Sequence, residues 1–108
     1  MIGYISSGSC LSVAPVAEEL KTLTIIPVCG SPRLFEEGGK EYVFRTTGHA
    51  VGDGVAAALY VRDKFGDAPA YTGINQNYAW GQDSYKFFDL AMETINPDTK
   101  ASDNPQFP

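Results

Sequence analysis

Short β-branched segments alternate with stretches of helical periodicity along the whole chain, and this alternation points to an α/β fold built on parallel strands. Residues 2–5 read as a buried strand. Behind them Val13, Val16, Ala17 and Leu20 stand at i, i+3, i+4 and i+7, one face of a helix, with Glu18, Glu19 and Lys21 on the other. Pro15 removes one backbone donor, so a kink or a shortened start is expected there. Residues 22–27, with Thr24, Ile25 and Ile26, form a second buried strand. A polar turn at Glu36-Glu37-Gly38-Gly39-Lys40 leads to a third strand over residues 42–45. Beyond the connector Thr46-Thr47-Gly48-His49, helical spacing returns at Val51, Val55, Ala58, Leu59 and Arg62, and Gly66 is a natural stop. A strand over residues 70–74, a loop at Asn75-Gln76-Asn77-Tyr78-Ala79-Trp80-Gly81 and a last helix carrying Phe87, Leu90, Ala91 and Ile95 follow. The helix ends at Asn96-Pro97, and the tail is polar.

The chain has 108 residues, 44% of them hydrophobic, which suffices for a packed core. Its formal net charge is −5 and no basic cluster occurs, so nucleic acid is not an expected partner. No apolar run reaches the ~18 residues of a membrane span. No secretory leader precedes Ile2, which by itself reads as cytoplasmic and carries little weight for an internal segment. The two cysteines, Cys10 and Cys29, stand either as small, partly buried thiols or as a disulfide between neighbouring strand ends. With His49 the only histidine, no zinc-type ligand set exists, and no cofactor is implied.

In α/β sheets, ligands collect at the carboxyl ends of the strands. Three loops are expected there: Ile5-Ser6-Ser7-Gly8-Ser9-Cys10, Val28-Cys29-Gly30-Ser31-Pro32 and the Asn75–Gly81 segment. Small hydroxyl residues and a glycine at a helix start expose N–H groups at its positive end, which suits a carboxylate or phosphate. The plainer reading is that Ser6, Ser7 and Ser9 cap the following helix, worth about 1 kcal/mol.

The blocks I-G-Y-I-S-S-G-S-C-L-S-V-A-P-V-A-E-E-L, I-I-P-V-C-G-S-P-R-L, Y-V-F-R-T-T-G and N-Y-A-W-G-Q-D stand in one order over nearly all of the chain. Together they resemble the periplasmic solute-binding proteins of ABC importers, of the branched-chain amino-acid type. That resemblance implies a periplasmic-binding-protein type I fold with two α/β lobes, of which this chain looks like an internal fragment. Residues 1–46 would be the second half of the N-terminal lobe. Residues 47–108 would be the first hinge crossing and the start of the C-terminal lobe.

The resemblance also implies roles. Ser7 and Gly8 would hold a ligand carboxylate, Val28 would contact an amino-acid head through its backbone, and Trp80 would close over the ligand with Tyr78 at the entrance. Gly30 stands where many members carry a threonine, so only its backbone N–H is kept, and Ser31 is the candidate replacement hydroxyl. The expected function is non-enzymatic: binding a branched-chain or related amino acid, or an aromatic acid, for delivery to the membrane permease of an ABC importer in the periplasm. Two alternatives stand beside it. One is a small α/β hydrolase-like enzyme with Ser7 or Cys10 as nucleophile, which needs a nearby base and lacks a G-x-S-x-G elbow. The other is a ligand-sensing domain of a receptor.

Overall fold

A computed structural model describes residues 1–102 and 104–108. The described residues form two compact units, Met1–His49 and Ala50–Pro108. The first holds α1 (Ser7–Glu19), β1 (Thr24–Ile26), α2 (Arg33–Glu36) and β2 (Val43–Arg45); the second holds α3 (Ala50–Phe65), β3 (Ala70–Tyr71), α4 (Ala79–Ile95) and β4 (Lys100–Ala101). Both strand pairs are parallel, which is the α/β class expected from the alternation.

In the first unit β1 and β2 pair in register Thr24–Val43, Ile25–Phe44 and Ile26–Arg45. Thr24, Ile26 and Val43 turn inward to Cys10, Ala14, Ala17, Cys29 and Leu34. The expected strand over residues 2–5 is reduced to a single parallel bridge, Ile2 to Ile25. Gly3 N–H donates to Ile25 and Ile25 N–H donates to Met1. Tyr4 then turns to φ 70°, left-handed backbone that cannot continue a ladder, and Ile2 stays 75% exposed.

Helix α1 is rotated from its expected face. Its buried residues are Ser7, Cys10, Ala14 and Ala17, whereas Val16 and Leu20 are 50% and 68% exposed. Small side chains let the helix lie close on the strand pair. The larger ones, with Met1, Tyr4, Val13 and Thr22, line an apolar groove of about 340 Å³ instead. Pro15 does not shorten the helix, which runs on both sides of it. The polar stretch before β2 holds a short helix, α2, that apolar periodicity does not announce.

Glu18 ties the end of α1 to the start of β2. Its carboxylate accepts from the backbone N–H groups of Glu41 (3.1 and 3.0 Å), Tyr42 (2.9 Å) and Val43 (3.0 Å). Burial pushes this carboxyl up, but the three backbone donors and Lys40 outweigh it and hold the group below its ordinary 4.5. A lowered carboxyl pKa stabilises the fold above the ordinary value, and that contribution is lost as pH falls through the lowered one. Glu18→Gln is therefore expected to lower the urea midpoint at neutral pH. The gap to the parent should close as pH falls below 4.5. An equal gap at both pH values would show that the charge is not what matters.

In the second unit α3 and α4 pack against each other. Ala58, Ala91 and Met92 form the core, with Val61, Tyr71, Phe88 and Ile95 around it. The inward residues of α3 are Ala50, Gly54 and Ala58, a stripe of small residues, while Val55 and Leu59 stay partly exposed, contrary to the expected apolar face. Gly66 follows the helix end as expected. Asn96 closes α4, its amide donating to Ala58 O at 3.0 Å. The strand expected over residues 70–74 is two residues of β3 and a separate Ile74–Gln106 bridge. The tail that reads as polar supplies the partner strand β4.

Candidate functional site

The first unit brings two of the three expected loops together. The serine loop becomes the first turn of α1, and the Val28–Pro32 loop leaves the carboxyl end of β1. Ser31 N–H donates to Ser7 Oγ at 3.2 Å, a buried bond between them. Ser7 is 1% exposed and Ser31 fully buried, while Val28 is 49% exposed and Gly8 and Gly30 are half-buried. Ser31 Oγ in turn accepts from Arg33 N–H at 3.3 Å, at the start of α2.

Neither Ser6 nor Ser7 acts as the cap that the plainer reading of the serines expects. Ser6 is the N-cap residue of α1 with extended backbone (φ −68°, ψ 131°), yet its side chain makes no capping hydrogen bond. No acidic residue lies in the first turn. Ser7 Oγ accepts from the neighbouring loop rather than from its own helix. Neither the N-cap side chain nor an acidic residue of the first turn meets the positive end of α1.

Arg45, from β2, completes this region. Its Nη1 donates to the carbonyls of Cys29 (2.9 Å) and Ser31 (2.8 Å), and the guanidinium lies 5.2 Å from the Phe35 ring centroid. Sequence patterns place Arg45 only at the end of the third strand, over residues 42–45. What identifies its role is the β1–β2 register, which sets it beside Ile26 at the strand end from which the loop departs.

Neither nucleophile reading gains support. Cys10 is fully buried and its thiol is pushed up to about 12, first by burial and then by the adjacent Cys29 thiol, so it stays protonated at neutral pH. Both cysteines are free thiols. His49 Nδ1 is buried without a hydrogen-bond partner, so that atom serves as base to neither Ser7 nor Cys10. Among the described residues no cluster of histidine, cysteine or carboxylate side chains suits a metal ion. Among the described residues no helix is long and apolar enough to cross a membrane.

In the second unit Tyr78 and Trp80 lie side by side, ring centroids 6.4 Å apart and tilted by 36°. Both are half-buried and outside the α3–α4 core. Trp80 and Gly81 belong to the first turns of α4 rather than to the loop in which the sequence reading put them. Tyr78 is the N-cap residue, and Gln82 N–H donates to its carbonyl at 3.0 Å. The Tyr71 hydroxyl donates to Asp89 at 2.5 Å, and burial followed by that carboxylate raises its pKa. This bond braces β3 against α4.

Neither a family model nor a curated protein sequence matches the chain. Solved structures do match its fold. A solute-binding protein of an ABC transporter from Rhodopseudomonas palustris, in complex with p-hydroxybenzoic acid, superposes with a TM-score of 0.83 at 20% identity, over 99% of this chain and 27% of that one. A periplasmic binding protein from Burkholderia mallei gives 0.79 at 18% identity, over 96% and 28%. A leucine-binding protein from Thermotoga maritima gives 0.74 at 24% identity, over 94% and 28%. The chain thus spans less than a third of the length of each. It has the α/β architecture, with parallel strand pairs, of part of the periplasmic-binding-protein type I fold, as found in the solute-binding proteins of ABC transporters.

Proposed function

We propose that this chain is a ligand-binding segment of a periplasmic solute-binding protein, and that its first unit holds the carboxylate of a small solute for delivery to an ABC importer's permease. The observation that carries this reading is the start of α1, where the Ser6 side chain does not cap the helix and Ser7 Oγ is engaged by Ser31 N–H. Because that oxygen already accepts, its own O–H proton is turned to donation. A carboxylate seated there would receive the Ser7 hydroxyl, helix N–H groups at Gly8 and the Gly30 N–H. Charge-assisted bonds of this kind are about twice as strong as neutral ones. Val28 and Ser31 would line the loop side.

Within the second unit, Tyr78 and Trp80 form an aromatic pair suited to covering an aliphatic or aromatic body. A ligand that touches two lobes only when they are closed shifts the population toward closure, and no chemistry is required. Leucine and p-hydroxybenzoate, bound by two of the similar proteins, are the first probes to use. Ser7→Ala is expected to weaken binding of whichever probe is held by about tenfold or more, close to the worth of one charge-assisted hydrogen bond. Unchanged affinity in calorimetry would remove Ser7 from the site.

A further inference from the structure

Arg45 has an unusual set of partners. Its Nη1 is committed to two backbone carbonyls of one loop, Cys29 and Ser31. No described carboxylate pairs with it. A full positive charge therefore stands un-neutralised beneath the Val28–Pro32 loop, steadied by the Phe35 ring.

The Cys29 carbonyl belongs to the same peptide group as the Gly30 N–H. All peptide bonds among the described residues are trans, so the C=O and N–H of that planar unit point in opposite directions. With the guanidinium on the oxygen side, the Gly30 N–H is directed away from Arg45. A carbonyl that accepts from a cation is polarised, and the N–H across the same peptide becomes a stronger donor. The neighbouring Ser31 N–H is already used by Ser7 Oγ. The polarised donor is thus Gly30, at the position where a glycine offers nothing but its backbone.

We propose that Arg45 is a positioning residue that sets the charge preference of this loop: acting through the Cys29–Gly30 peptide, it makes the Gly30 N–H selective for an anionic oxygen over a neutral one without touching the ligand. This rests on the reading of the loop as a carboxylate site. A substitution at Arg45 has two consequences. It leaves two carbonyls without their donor, and it removes the positive potential behind Gly30. Only the second distinguishes charged from uncharged ligands.

The test uses two probe pairs, 4-hydroxybenzoate with 4-hydroxybenzamide and leucine with leucinamide, measured by calorimetry on the parent, Arg45→Met and Arg45→Lys. Arg45→Met is expected to cut affinity for the bound carboxylate by about tenfold and for its amide by no more than about twofold. Arg45→Lys, whose ammonium can donate to both carbonyls, should restore most of the carboxylate preference. The unliganded proteins give an independent readout by NMR. In Arg45→Met the Cys29 carbonyl carbon and the Gly30 amide proton should both move upfield, with the Lys variant between. Equal loss of acid and amide, or Gly30 resonances indifferent to the substitution in a folded protein, would overturn the assignment to Arg45. A parent that binds neither acid overturns the carboxylate site itself, and the charge preference with it.

Discussion

Replacing Gly54 by alanine is expected to destabilise the second unit by about 2–3 kcal/mol, against the ordinary sign for such a change in a helix. In an unobstructed helix interior, Gly→Ala gains about 1 kcal/mol from reduced unfolded-chain entropy and better propensity. At Gly54 the new Cβ would stand 2.8 Å from Phe87 C, 2.8 Å from Phe88 N and 2.9 Å from Phe87 O, all backbone atoms of α4. Backbone cannot rotate away as a side chain can, so the α3–α4 approach must widen. Widening loosens the Ala58–Met92 core and the Asn96–Ala58 hydrogen bond together. Gly52, two residues earlier, has open space where its Cβ would go. Gly52→Ala should therefore stabilise by up to about 1 kcal/mol. Urea unfolding of the two variants should move in opposite directions. A Gly54→Ala midpoint at or above the parent's would show that the helices do not approach as closely as described.

Gly81→Ala should be at least as costly, and it acts on the aromatic pair. The added Cβ would lie 2.0 Å from Gln76 O and 3.1 Å from Asn75 Oδ1. The loop before α4 passes directly over the helix's first turn, and Tyr78 N–H donates to Gln76 O at 2.9 Å. Admitting a methyl group there displaces the loop backbone, at about 3 kcal/mol or more. Trp80 is the single tryptophan of the chain, so its emission reports the change directly. The expected result is a shifted Trp80 emission maximum with a lower melting temperature, and weaker binding of any probe that Tyr78 and Trp80 cover. An unperturbed spectrum and unchanged melting would mean that the loop over Gly81 is easily moved.

These two glycines show where sequence patterns stop. Alternation of β-branched and helical segments announced the α/β class, and the positions of α1, β1, β2, α3 and α4 follow from it to within a few residues. Helix faces were less legible. Apolar periodicity put Val13, Val16, Ala17 and Leu20 on one face of α1 and Val51, Val55, Ala58, Leu59 and Arg62 on one face of α3. In each case close packing kept the small member of that face, Ala17 or Ala58, and buried a small neighbour beside it, Ala14 or Gly54, in place of the larger side chains. Hydrophobicity favours the large side chain in the interior, but a short interhelical or helix-strand distance leaves room only for a small one. The loops were legible as places, since strand ends before helices are where parallel architectures gather ligands. The bonds within them were not, because Ser7–Ser31 and Arg45–Cys29 join residues 24 and 16 positions apart.

By itself the sequence determined a parallel α/β chain with serine-rich and glycine-bearing turns at its strand ends, because periodicity and turn chemistry are local properties. It also carried the block order that resembles a solute-binding protein. The tertiary structure alone decided that the Ser6 side chain does not cap α1, that Ser7 Oγ accepts from the next loop, and that Arg45 donates to the Cys29 carbonyl. Those outcomes depend on the β1–β2 register, which sets residues distant in sequence side by side. Register is fixed by which faces bury together, and no window of neighbouring residues contains that information.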